Sequence, residues 1–166
     1  MGTKNLSGPA VLLKGLLTVL AVLILATACW AGSAADFTLP SVLDGKQYSL
    51  SQYRGKVVLL NFFTFFCGPC REEMPSLNQI YLENQGRGYV TIGIGLASNP
   101  TQLRFLVKQL GLNYPVLVGN DKVSKDYGDV EVVPTTFIID RGGNVVQKIV
   151  GSRSKDDFLK IIRPLL

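Results

Sequence analysis

Histidine is absent from the 166-residue sequence, and cysteine occurs only three times. A structural zinc site takes four nitrogen or sulfur ligands. Three cysteines fall short of that number, and one of them, Cys29, stands apart in an apolar leader. No metal is expected. The basic residues are scattered singly, with no stripe of lysine and arginine interleaved with aromatics, so the footprint of a nucleic-acid binder is missing. Internal repeats and low-complexity tracts are also absent, which leaves a compact globule as the expected form. The formal charge of +5 overstates the basicity of that globule: Lys4 and Lys14 lie in the leader with no acidic residue beside them, and setting these two aside leaves +3.

What is present divides the chain at about residue 35. Residues 1–35 have the form of an export segment, with Lys4 and Lys14 ahead of an uninterrupted apolar stretch over residues 15–28, followed by small residues. That stretch is shorter than the roughly 20 residues needed to span a bilayer. Three outcomes stay open. Leu25-Ala26-Thr27-Ala28-Cys29 resembles a bacterial lipoprotein signal with Cys29 as the lipidated residue, although Ala26 stands where Leu is usual. Extension through Ala31 makes a membrane anchor, and Ala26-Thr27-Ala28 or the small residues around Ala34 make a cleavage site that frees the product. Each outcome puts residues 36–166 outside the cytoplasm, as one domain of ordinary size.

Asp36-Phe37-Thr38-Leu39-Pro40 reads as a short opening strand and residues 43–48 as a hairpin with an Asp44-Gly45 turn. Residues 57–63 are nearly all apolar, as in a strand buried on both faces of an α/β sheet, with Asn61 the polar exception. A helix follows over residues 71–85, with Pro75 expected to bend it. Residues 89–96 form a second strand whose Gly93 and Gly95 share one face and invite close helix packing. Asn99-Pro100 caps and opens a helix with the stripe Leu103, Leu106, Val107, Leu110. Residues 114–118 make a third strand and residues 122–127 a short helix or turn. Residues 132–140 lead into a strand that returns antiparallel over residues 145–150, and Ser154 caps a closing helix through Leu165. This order predicts an α/β sheet with parallel and antiparallel members.

Cys67-Gly68-Pro69-Cys70 lies between the first long strand and its helix. A helix start carries unpaired N–H groups and partial positive charge, which favour an anion there. Cys67 is the sulfur placed to benefit, and Cys70 falls one turn inside, close enough to close a disulfide. A thiol of pKa about 8.5 is about 3% ionised at pH 7, and one lowered to about 7 is half ionised, roughly fifteen times more nucleophile. Pro69 fits the first turn, where a missing N–H costs nothing. An inert disulfide in an exported protein is the plainer reading, but strand-to-helix placement is the redox arrangement.

Four blocks in order resemble the thioredoxin superfamily, and within it the TlpA/ResA-type extracytoplasmic thiol-disulfide oxidoreductases: residues 37–40, 55–63, 67–75 and 133–140. The resemblance implies a thioredoxin-like fold, a central mixed β-sheet flanked by helices with an N-terminal β-hairpin extension. It further implies that Cys67 is the attacking nucleophile, Cys70 the buried resolving sulfur, and Val133-Pro134 a cis peptide beside the disulfide. The free backbone of Val133 would then let a partner's extended chain pair with it. Three departures are visible. Asn61 stands where cytoplasmic thioredoxins carry a buried Asp, so any base for Cys70 must lie elsewhere; Glu72 and Glu73 are expected to complement the helix dipole instead. Phe66 replaces the usual Trp, keeping the apolar rim without its N–H. Gly68-Pro69 matches thioredoxin itself, which favours a reductant.

The function expected is reduction of disulfides in an exported substrate protein, apocytochrome c being the substrate the family suggests, through a mixed disulfide on Cys67 that Cys70 resolves. A membrane thiol electron donor must recharge the pair. Neither organic cofactor nor metal is required. The alternatives are a dithiol oxidase, a thiol peroxidase and a non-enzymatic binding module using the same groove. Thr64-Phe65-Phe66-Cys67 matches the T-x-x-C of peroxiredoxins, but Leu60 stands where their Pro belongs.

Overall fold

The computed structural model describes residues 32–166. The central sheet has five strands in the order β5-β4-β3-β6-β7. Its members are β3 (Val57–Thr64), β4 (Tyr89–Leu96), β5 (Val116–Val118), β6 (Thr135–Ile139) and β7 (Val145–Val150). β3, β4 and β5 run parallel, and β6 and β7 turn the sheet antiparallel. Among the described residues four helices accompany it: α1 (Gly68–Asn84), α2 (Pro100–Leu110), α3 (Asp121–Asp126) and α4 (Lys155–Ile162). The mixed α/β architecture is the one the order of elements predicts.

Burial explains why β3 is the centre. Successive side chains of a strand point to opposite faces. Val57, Leu59 and Phe63 accordingly join one apolar cluster with Leu77 and Ile80 of α1, Leu103 and Leu106 of α2 and Phe158 of α4. Val58, Leu60 and Phe62 join a second with Phe37, Leu39, Leu50 and Val123. Gly95 does what its strand position suggests: a Cβ there would lie 2.5 Å from Leu103 Cδ2, so the missing side chain lets α2 rest on β4.

The N-terminal hairpin differs in detail from its prediction. Its arms are β1 (Thr38–Pro40) and β2 (Gln47–Ser49), so the opening strand is itself half of the hairpin. Asp44-Gly45 sits within the connecting loop, where Gly45 takes φ of 69°. The loop covers an edge of the main sheet, because the Val42 N–H donates to the Val116 carbonyl at 3.0 Å. Backbone pairing also reaches ahead of Asp36: the Val145 N–H donates to the Gly32 carbonyl at 3.0 Å and the Ala34 N–H to the Gly143 carbonyl at 2.9 Å. Side-chain patterns carry no trace of such pairing. The closing helix stops at Ile162 and tightens into a 3-10 turn over Arg163–Leu165, since Pro164 has no N–H with which to continue it.

Candidate active site

The C-terminal end of β3 delivers Cys67 to the start of α1. Cys67 is the N-cap, in extended conformation with φ of −79° and ψ of 105°, and its sulfur accepts the Cys70 N–H at 3.2 Å. That cap starts the helix at Gly68, three residues ahead of the predicted Arg71, with Gly68 and Pro69 exposed in its first turn. The two sulfurs form a disulfide with Cα atoms 5.3 Å apart. They are not equivalent: Cys67 is partly exposed, whereas Cys70 retains 1% of its accessible surface. Only the outer sulfur can be reached from solvent.

Three sets of groups surround the pair. On one flank the Val133-Pro134 bond is cis, and the Val133 carbonyl oxygen lies 3.8 Å from Cys67 Sγ. On the other, Phe66 is 79% exposed and its ring stands edge-on to Phe65 with centroids 5.0 Å apart. The Phe65 backbone is fixed by Ser98, whose hydroxyl accepts the Phe65 N–H at 2.9 Å and donates to the Leu96 carbonyl at 2.7 Å. All the candidate residues of the redox motif and its flanks are thus gathered at one end of the sheet. Cys29 and the leader lie outside the described residues.

Beneath the disulfide is a polar cluster that corrects the reading of Glu73. Only Glu72 of the two glutamates is exposed; Glu73 keeps 3% of its surface and faces inward. The reason is helical spacing, since Glu73 lies three residues after Cys70 and four before Leu77, on the buried face of α1. Its Oε1 accepts from Asn61 Nδ2 at 3.2 Å, and its Oε2 accepts the Arg153 N–H at 2.7 Å. Asn61 Nδ2 also donates to Thr136 Oγ1 at 2.9 Å. Burial pushes the Glu73 carboxyl above its ordinary pKa, against the opposing pull of the Arg153 N–H and other hydrogen bonds. The period of the helix held this signal, for Cys70, Glu73 and Leu77 repeat at core spacing. Among the described residues no cluster of three or more His, Cys, Asp or Glu side chains could hold a metal ion.

Chemically, the arrangement offers an accessible sulfur at a helix N-terminus, a second sulfur shielded behind it and a buried carboxylate one turn further on. That set can exchange a disulfide with a partner and resolve the product internally.

Comparison with known proteins supports the same chemistry. Residues 31–148 match the model of the AhpC/TSA family. Thiol-disulfide oxidoreductase ResA of Geobacillus thermodenitrificans is 37% identical over 143 residues, covering 83% of this chain and 81% of the relative. Its namesake in Bacillus subtilis is 31% identical, over 79% and 74%. The crystal structure of a thiol:disulfide interchange protein, a thioredoxin family protein from Chlorobium tepidum, superposes with a TM-score of 0.77 at 32% identity, covering 84% of this chain and 99% of that one. With a family match over residues 31–148, a thioredoxin-family neighbour of the same fold and relatives of one name over most of its length, the chain belongs to the AhpC/TSA family, among its thioredoxin-like thiol-disulfide oxidoreductases.

Proposed function

We propose that the protein is a disulfide reductase for exported proteins, with Cys67 as nucleophile and Cys70 as resolving thiol. The observation that carries this reading is the asymmetry of the pair: Cys67 is partly exposed, and Cys70 is buried one turn from a buried carboxylate. In the reduced enzyme the Cys67 thiolate attacks one sulfur of a substrate disulfide. A mixed disulfide forms, and the other substrate sulfur leaves as thiolate. Cys70 then loses its proton to Glu73 and attacks Cys67 Sγ. The second substrate sulfur departs, and the Cys67–Cys70 disulfide is left. Two electrons have passed from enzyme to substrate, and a protein dithiol must return them. The Val133 carbonyl beside Cys67 supports pairing with a substrate backbone in extended form.

The finer parts of the reading rest on the sequence. The leader supports an extracytoplasmic location, with Cys29 as a lipid attachment site. The TlpA/ResA resemblance supports apocytochrome c as substrate and a membrane thiol protein as electron donor.

The test is the equilibrium reduction potential of the full chain in mild detergent. A value near −270 mV, that of thioredoxin, is expected of a reductase. A value near −120 mV would reverse the direction and make the protein a disulfide donor. Cys67→Ser should abolish turnover, and survival of activity in that variant would leave only a binding module.

A further inference from the structure

The flank of the disulfide formed by α1 and α2 carries cations and aromatics with no acid among them. Phe65 and Phe66 begin it at the rim. The Arg71 guanidinium lies 5.8 Å from the centroid of the Phe65 ring, and its Nη2 donates to Gln109 Oε1 of α2 at 2.8 Å. From Gln109 the helical face leads back four residues to Phe105, which is 56% exposed, and Lys108 lies three residues beyond Phe105 on its other side, since residues three and four apart are neighbours on a helix. α2 holds two cations, Arg104 and Lys108, and no acidic residue. Among the described residues neither Arg71 nor Lys108 makes an ion pair, and the Arg104 Nε donates to the Val42 carbonyl at 3.0 Å.

The nearest acid in sequence points elsewhere. Glu72 lies seven and eleven residues ahead of Gln79 and Glu83, on the side of α1 turned to α4, where both of those side chains accept from Lys155 Nζ. Phe66 and Phe105 are large exposed aromatics on either side of Arg71, and aromatic and arginine side chains are the ones that anchor protein interfaces.

We propose that this flank, from Phe66 through Arg71 to Phe105 and Lys108, is a docking surface for a partner protein whose reactive cysteine is surrounded by acidic and apolar residues. The inference rests on the reductase reading and adds to it the chemical class of partner. Charge complementarity sets the sign of the partner. A protein rather than a lipid surface is indicated because the flank shares Phe65 and Arg71 with the rim of the disulfide, so whatever lies on it also meets Cys67. Such complementarity acts chiefly on the rate of encounter and is screened by salt.

The test uses the reduced full chain and three disulfide probes. Two are peptide dimers of equal length linked through a single cysteine, flanked by Glu and Phe in one and by Lys and Phe in the other. The third is the uncharged bis(2-hydroxyethyl) disulfide. At low ionic strength the acidic dimer should be reduced about tenfold faster than the basic one, a preference that added salt should erase. Lys108→Glu combined with Phe105→Ser should bring the ratio close to one while leaving the rate on bis(2-hydroxyethyl) disulfide unchanged, which also certifies the fold. A normal rate on the small disulfide without any charge preference, or a preference that survives in the double variant, overturns the proposal alone. Failure to reduce all three probes overturns the reductase reading and the proposal with it. If the double variant loses only its binding to phosphatidylglycerol vesicles and keeps the peptide ratio, the flank is a lipid contact and the proposal falls.

Discussion

Glu73→Gln separates the two steps of disulfide exchange. The substitution preserves volume, removes the charge and leaves one acceptor where there were two. The shorter bond, from the Arg153 N–H at 2.7 Å, can be kept by the remaining oxygen. The introduced amide then faces Asn61, which must turn over its own amide to accept, with the Thr136 hydroxyl donating in place of accepting. That rewiring costs about one neutral hydrogen bond, roughly 1 kcal/mol, and is offset by no longer burying a charge. Folding stability at neutral pH should therefore change by less than about 1 kcal/mol.

Chemistry should change far more, because loss of a positioned base costs about 10²–10⁴ in rate. With 5,5′-dithiobis(2-nitrobenzoate) in stopped flow, the proposed sequence has attack by Cys67 release the first coloured thiolate and resolution by Cys70 the second. The first release should stay within about twofold, and the second should slow by about 10² or more. Across pH, the second release in the native protein should rise as Glu73 deprotonates above its ordinary 4.5 and then level off. In the variant it should climb only as the Cys70 thiol itself ionises. Equal slowing of both releases, or of neither, would refute the assignment. Linkage gives a second readout. Because burial raises the pKa of Glu73 in the folded state, its contribution to stability is complete below the unfolded value and declines as pH rises through the folded one. Denaturation of the variant should lack that decline.

Three further substitutions test the framework. The Tyr114 hydroxyl is fully buried without a hydrogen-bond partner among the described residues, so Tyr114→Phe should stabilise the fold by about 1–2 kcal/mol in urea denaturation. A loss of stability would show that the hydroxyl is satisfied. Gly95→Ala places a Cβ 2.5 Å from Leu103 Cδ2 in the closed contact between β4 and α2, and should cost about 1–3 kcal/mol; a change below about 0.5 would mean that α2 shifts freely. Asn99→Ala removes a capping box in which Asn99 Oδ1 accepts the Gln102 N–H at 2.9 Å and Gln102 Oε1 accepts the Asn99 N–H at 3.0 Å, so it should lower the midpoint of thermal unfolding through a loss of about 1 kcal/mol. An unchanged midpoint would place no weight on the cap.

The elements legible in the sequence are those whose side chains have one reason to be where they are. The apolar run of β3, the stripe of α2 under its Asn99 cap and the Ser154 cap of α4 follow from burial and from unpaired helix donors. The fate of Glu73 is not legible in the sequence because two forces compete at that position. A glutamate near a helix start suits the dipole, yet the periodicity of α1 turns this one inward, where Asn61 and the Arg153 N–H receive it. Arg153 lies 80 residues away in sequence, and no local pattern announces such a partner. The pairing of Gly32 and Ala34 with the turn after β6 is equally silent, being backbone to backbone. The cysteine pair stood out because spacing, flanking strand and following helix agree. Ser98, which fixes Phe65, belongs to a different loop and has no signature.

That pairing of Gly32 and Ala34 also sets a direction for the whole domain. β3 runs from Val57, beside the β6–β7 turn, to Thr64, beside the disulfide, and its eight residues span about 25 Å at the usual rise per residue. The polypeptide therefore enters the fold at one pole and performs its chemistry at the other. Backbone pairing at Gly32 and Ala34 is thus remote from the rim that a partner of Cys67 meets, and a change confined to it should alter the stability of the fold and leave each step at the disulfide as it is.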